Sequence, residues 1–184
     1  MKKGRIFVIS GPSGVGKGTI AYHILQQMPE NFQYSVSMTT RSPRPNEIDG
    51  KDYYFVSVDE FKNQIEQGNL FEWASYSGNY YGTPAGPIYE LLDQGINVCL
   101  EIETQGALQI KEKDPNAFLI FIMPPSIKAL KQRLAGRNTE TEDAINLRLE
   151  TMMTEMQTID KYDYIVVNDE VEETVEKLLK VMNR

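Results

Sequence analysis

The sequence predicts an α/β fold of three layers around a parallel central sheet. Three observations carry that expectation. Four short runs, Arg5–Ser10, Asn97–Ile102, Ala117–Met123 and Tyr164–Val167, are almost continuously apolar, as strands covered on both faces must be. Helical stretches, at about residues 17–28, 84–93, 104–113, 126–136, 141–159 and 170–182, separate them. That alternation calls for right-handed crossovers between parallel strands. A glycine-rich segment, residues 11–19, joins the first strand to the first helix.

The remaining elements follow from local signals. Pro84 suits the first position of a helix and Gly95 its stop. Ser35–Thr40, Tyr53–Ser57, Leu70–Ser75 and Asn79–Tyr81 read as short strands, with turns such as Ser77-Gly78. Within that stretch Ser57-Val58-Asp59-Glu60 forms a capping box at the start of one helix. Residues 35–83 are therefore expected as a small mixed α/β insert outside the central sheet. Residues 126–157 are polar, helical and charged, and make a second insert. Ile145, Leu149, Met152, Met156 and Ile159 recur there at helical spacing, which is the mark of a packing stripe. With 184 residues, 41% of them hydrophobic, the chain is expected to form one compact unit, 1–184.

Composition removes several function classes. A net charge of −7 argues against non-specific nucleic-acid binding, so any anionic ligand must be met by local clusters. Cys99 is the single cysteine and lies in an apolar run, so it reads as a small buried hydrophobe. His23 is the single histidine, which disfavours a histidine-rich metal site or a Ser-His-Asp triad. No signal peptide or membrane span is evident, and the expectation is a cytoplasmic protein with no membrane partner.

Five constellations point to chemistry. Gly11-Pro12-Ser13-Gly14-Val15-Gly16-Lys17-Gly18-Thr19 is a phosphate-binding loop of the G-x-x-x-x-G-K type. Its backbone N–H groups can point into one concavity at the start of a helix, and Lys17 supplies a mobile cation. It departs from the usual pattern in that Gly18 follows the lysine and Thr19 comes one place later. An ordinary turn needs neither three glycines nor a lysine at this spacing. The second is Ser37-Met38-Thr39-Thr40-Arg41-Ser42-Pro43-Arg44-Pro45, where two arginines in a proline-stiffened loop can converge on one anion. The third is Glu72 between Phe71 and Trp73, followed by Tyr80-Tyr81-Gly82-Thr83. One carboxylate can accept from both N1–H and the 2-amino group of guanine, whereas adenine presents an acceptor there; an exposed glutamate on an aromatic strand is an equal alternative on these residues alone. The fourth, Glu101 and Glu103, ends an apolar strand and points one way; ligands of parallel sheets bind at such ends, and an acid there can hold magnesium. The alternative is an acid favoured by a helix N-terminus. In the fifth, Arg133 and Arg137 share a helical face, with Arg148 further on. A common anion would explain them together, and solvated surface charge would explain each singly.

Taken in order, these segments closely resemble guanylate kinase. The resemblance runs essentially end to end and includes Ser37 with Thr39-Thr40-Arg41 and Arg44, Gly50 with Asp52-Tyr53 and Phe55, Gly78-Asn79-Tyr80-Tyr81-Gly82, Gln105-Gly106 and Val167-Asn168-Asp169. It implies a P-loop core (1–34, 84–125 and 158–184), a GMP-binding region (35–83) and a helical lid (126–157). By that analogy Gly11 to Thr19 and Asn168 would bind ATP. Arg41, Arg44, Tyr53 and Tyr81 would hold the GMP phosphate. Ser37, Glu72 and Thr83 would surround guanine, with Glu101 and Glu103 close by. Lys17, Arg41, Arg133, Arg137 and Arg148 would act on the transferring phosphoryl group, with Thr19 and Glu101 near Mg2+. Many relatives carry aspartate where this chain has Glu101 and Glu103. The implied reaction is transfer of the γ-phosphoryl group of Mg-ATP to GMP, and to dGMP as well. Two competitors are a guanylate-kinase-like module that docks protein partners and a related kinase with another acceptor. Gly16-Lys17 and the lid arginines favour the enzyme, and the sequence leaves the oligomeric state open.

Overall fold

The computed structural model describes residues 3–27, 30–76, 78–135 and 142–183. Five strands form the central sheet: β1 Ile6–Ser10, β2 Phe32–Tyr34, β7 Asn97–Glu101, β8 Phe118–Met123 and β9 Tyr164–Val167. All pair in parallel in the order β2-β7-β1-β8-β9. The alternation of side chains divides the core. Phe7 and Ile9 pack on one face with Ile20 and Ile24 of α1 (Lys17–Gln27) and Val175 and Leu178 of α7 (Val171–Met182). Ile6 and Val8 pack on the other with Ile88 of α3 (Ala85–Asp93) and Ala107 and Ile110 of α4 (Thr104–Lys113). Removing each of these Ile, Leu, Val and Phe side chains from water is worth about 1.5–3 kcal/mol, and this is what holds the three layers together.

The four expected strands are present. The fifth, β2, escapes the sequence because it is only three residues long and carries Gln33 at its centre. Its register still matters, since Gln33 lies opposite Val98 and Tyr34 opposite Cys99. Pro84 does not begin a helix. It ends a strand and caps α3 with an extended ψ of 128°. Gly95 does sit just past the end of α3, at φ 81°. The expected single helix over 141–159 is an α-helix, α6, only from Glu142 to Glu155, and tightens to a 3-10 helix over Met156–Lys161. The stripe on it does pack, but the change of pitch splits it. Ile145, Leu149, Met152 and Met156 join one face of the core, and Ile159 joins the other.

A second sheet lies in the middle of the sequence: β3 Met38–Thr39, β4 Tyr54–Phe55, β5 Leu70–Tyr76 and β6 Asn79–Pro84, in the order β4-β3-β6-β5. It is mixed, because β3 pairs in parallel with β4 and antiparallel with β6. The expected strand over 35–40 shrinks to two residues, because Ser35 N–H still donates to Cys99 O of the central sheet at 3.1 Å. Helix α2, Val58–Glu66, opens on Ser57, whose hydroxyl accepts from Glu60 N–H at 3.1 Å as the capping box requires. Helix α5, Ile127–Ala135, precedes α6.

Candidate active site

A cleft of about 440 Å3 opens where the carboxyl ends of β1 and β7 face the second sheet. Its floor is the glycine-rich loop. Gly14 and Gly16 hold φ of 90° and 94°, a region costly for any residue with a Cβ. Pro12 and Val15 sit behind the loop, Val15 being fully buried. Lys17 Nζ donates to Gly11 O at 2.7 Å and Pro12 O at 3.2 Å, so the cation lies along the loop. Ser13, Gly18 and Thr19 also line the cleft. From α6 Arg148 enters, donating to the Ser13 hydroxyl.

The opposite wall comes from the second sheet. A bulge in β5 places Leu70 opposite Pro84 but Glu72 opposite Thr83, so two residues face one. That shift turns Glu72, Ala74 and Tyr76 into the cleft and Trp73 away. Glu72 is 3% exposed and accepts a 2.5 Å hydrogen bond from Thr83 Oγ1. Burial pushes its carboxyl up to about 7, against the opposing pull of Thr83. Gly106, in the first turn of α4, makes the room: a Cβ there would lie 2.3 Å from Glu72 Oε2. Beside it stand Ser37 and Tyr81.

Arg41, Arg44, Tyr53 and Tyr81 line one end together. The Arg41 guanidinium lies over the Tyr53 ring, 5.5 Å from its centre. It forms a fork with Glu47 at 2.9 and 3.0 Å, and Glu47 also accepts from Arg44 N–H at 2.7 Å. Glu47 therefore fixes both arginine positions. Arg41 and Arg44 hold its carboxyl below the usual range although burial works the other way.

Three carboxylates surround Lys17. Glu101 sits opposite Ile9 of β1, and burial raises its pKa against the pull of Lys17 and of Tyr34, whose hydroxyl donates to Oε2 at 3.5 Å. Burial pushes Glu103, the residue preceding α4, up to about 7, with Lys17 opposing and Glu155 reinforcing. Glu155, at the end of α6, is raised by burial and likewise faces Lys17. Among the described residues no three His, Cys, Asp or Glu are grouped closely enough to hold a metal by themselves. A hydroxyl and single carboxylates beside a phosphate loop suit Mg2+, which takes one or two protein oxygens and keeps substrate phosphates and water for the rest.

A P-loop, an arginine pair and a buried carboxylate thus share one cleft. The family model for guanylate kinase matches residues 3–184. The chain belongs to the guanylate kinase family. Its sequence is 50% identical over 181 residues to a guanylate kinase of Streptococcus thermophilus, covering 98% of this chain and 87% of that one. A guanylate kinase of Rubrobacter xylanophilus is 47% identical over 184 residues, covering 100% and 96%. The crystal structure of guanylate kinase from Anaplasma phagocytophilum superposes with a TM-score of 0.83 at 36% identity, over 99% of this chain and 86% of that one. A gluconokinase structure from Sinorhizobium meliloti, at 16% identity and TM-score 0.53, shares the fold.

Set against the residues expected of a guanylate kinase, the cleft gathers most but not all. Arg133 faces elsewhere: its guanidinium donates to Asn168 O at 3.1 Å and Asp169 O at 3.3 Å, tying α5 to the end of β9. Asn168 is 2% exposed and lies behind the loop. Its amide donates to Val15 O at 2.6 Å, and its Oδ1 accepts from Thr174 Oγ1 at 3.2 Å. In this structure it braces the phosphate loop rather than facing the cleft. Arg137 lies outside the described residues. Glu47, Glu155, Thr151 and Tyr34 are additions that the sequence did not single out. Only Glu47 left a signal, as an acid six residues after Arg41 in the same loop.

Proposed function

We propose that this chain transfers the γ-phosphoryl group of ATP to GMP, giving ADP and GDP. The observation that carries this reading is Glu72, a buried carboxylate set in the same cleft as the phosphate loop. Guanine offers it two adjacent donors. Adenine would oppose it with an acceptor, and an unpaired buried acceptor costs about 1–3 kcal/mol, more when charged. Thr83 and Ser37 complete the base pocket. Arg41, Arg44, Tyr53 and Tyr81 take the GMP phosphate, and Glu47 sets the angle of Arg41.

A GMP phosphate oxygen is already anionic, so no general base is required. It forms a bond to the γ-phosphorus as the bridging β–γ P–O bond breaks, and the electron pair leaves with ADP. The protein contributes in-line placement and charge neutralisation by Lys17 and Arg148. Thr19 and Glu101 are the residues that would hold Mg2+, which neutralises phosphate charge. Residues 35–83 form the GMP-binding region and 126–157 the lid, with Arg133, Arg137 and Arg148 on it; closure excludes water from the transfer. The role of Asn168 toward ATP is indirect, through the loop carbonyl it holds. dGMP is accepted as well, the base and phosphate contacts being the same. No helix of the described residues is long and apolar enough to cross a membrane, and we place the enzyme in the cytoplasm.

The test is ADP formation from Mg-ATP with GMP, AMP, CMP, UMP and dTMP in parallel. Stimulation by GMP alone is expected. Binding of GMP without turnover would indicate a docking module, and preference for another acceptor would overturn the base pocket.

A further inference from the structure

Strand β5 is an outer strand of the second sheet, so one of its edges has no strand to pair with. The side chain of Gln109 takes that place. Its Oε1 accepts from Trp73 N–H at 3.2 Å, and its Nε2 donates to Trp73 O at 2.8 Å. A side-chain amide presents acceptor and donor side by side, as a neighbouring peptide would, whereas an ionised carboxylate can only accept. Two residues earlier, the bulge leaves Phe71 outside the ladder with β6. Its carbonyl accepts instead from Lys113 Nζ at 2.6 Å. Between these two held residues lies Glu72, whose carboxylate reaches the space left open at Gly106. Gly106, Gln109 and Lys113 stand three and four positions apart on α4, so one face of that helix holds three consecutive residues of β5. Helix α4 is itself packed on the central sheet through Ala107 and Ile110. It begins just beyond the carboxyl end of β7. The wall that carries Glu72 is thereby set in the same frame as the phosphate loop.

We propose that Gln109 and Lys113 are positioning residues for base selection: by gripping the backbone on either side of Glu72 they hold its carboxylate where it meets both donors of a guanine edge. Neither side chain lines the cleft, so each acts through Glu72, and the role rests on Glu72 being the group that reads guanine. A purine with one donor tolerates a displaced carboxylate, because rotation of the side chain recovers a single hydrogen bond. A purine with two adjacent donors does not, because both must be met at once. Hypoxanthine keeps N1–H and lacks the 2-amino group. The preference for GMP over inosine monophosphate therefore reports how firmly β5 is held.

The test measures kcat and KM with Mg-ATP and either GMP or inosine monophosphate, for wild type, Gln109→Met, Lys113→Met and Lys113→Arg. Methionine removes the hydrogen bonds at nearly constant volume, and arginine at 113 can still donate to Phe71 O. Gln109→Met is expected to raise the KM for GMP about tenfold and that for inosine monophosphate no more than about twofold, the difference of one charge-assisted hydrogen bond. Its kcat with GMP and its KM for ATP should stay within about twofold of wild type. Lys113→Met should cut the preference for GMP about threefold, and Lys113→Arg should keep it within about twofold of wild type. A loss of equal size for both acceptors, or a loss of thermal stability with the preference unmoved, would reduce these contacts to structural ones and overturn the proposal. Should Gln109→Met fail to fold, the two Lys113 variants carry the comparison, and an equal preference in both would overturn it. Wild type with no preference for GMP would overturn the reading of guanine by Glu72 and this role with it. A preference present in wild type and unchanged in the variants would overturn the positioning role alone.

Discussion

With Glu72 as the proposed reader of guanine, GMP affinity should depend on pH in a way that identifies the residue. In the free protein it titrates at about 7. Guanine needs the ionised form, because both atoms it presents are donors. At pH 8 about ten-elevenths of the protein is ready to bind, and at pH 6 about one-eleventh, so the apparent Kd for GMP rises about tenfold between them. The lost binding appears as a proton. Near pH 6 each binding event releases close to one proton from Glu72, and at pH 8 almost none. Isothermal titration in two buffers of different ionisation enthalpy counts it. The GMP phosphate titrates at about 6 and contributes a proton of its own. Subtracting the same experiment on Glu72→Gln removes that contribution. Equal proton release by wild type and Glu72→Gln at pH 6 would refute the assignment. The linkage to folding has the opposite slope. The folded value of about 7 lies above the ordinary 4.5. The contribution of Glu72 to stability is therefore full below pH 4.5 and lost as pH rises to about 7, amounting to about 3 kcal/mol at most. Ligand-free protein should be more resistant to urea at pH 5 than at pH 7.5 on this account, and GMP should narrow the difference.

Other substitutions divide the cleft by function. Lys17→Ala should lower kcat about a hundredfold or more with little change in GMP binding, and undiminished turnover would sink its role. Arg41→Ala should raise the KM for GMP at least about tenfold, the worth of a charged hydrogen bond. Glu47→Gln loosens the Arg41 fork without removing it, so KM for GMP should rise about threefold to tenfold with kcat within about twofold; a fall in KM would mean that Glu47 competes with the phosphate instead of orienting the arginine. Gly106→Ala puts a methyl 2.3 Å from Glu72 Oε2, and calorimetry should show GMP affinity down about tenfold or more. Asn168→Ala unties the Val15 carbonyl and should cost about 1–3 kcal/mol in urea denaturation while weakening ATP more than GMP.

What could be read from the sequence was whatever a short segment determines by itself. The apolar runs at Arg5–Ser10 and Ala117–Met123 have no other use than a covered strand, and a glycine loop ending in Lys17 has few. The surroundings of Glu72 were legible only as residue types. Whether Glu72 is exposed or buried turns on a bulge between Leu70 and Glu72 and on the open space at Gly106, 34 positions away in sequence, and neither has a local signature. The same holds for Asn168 and Arg133. Their chemistry suited a ligand, but tertiary contacts with Val15 and with the end of β9 engage both.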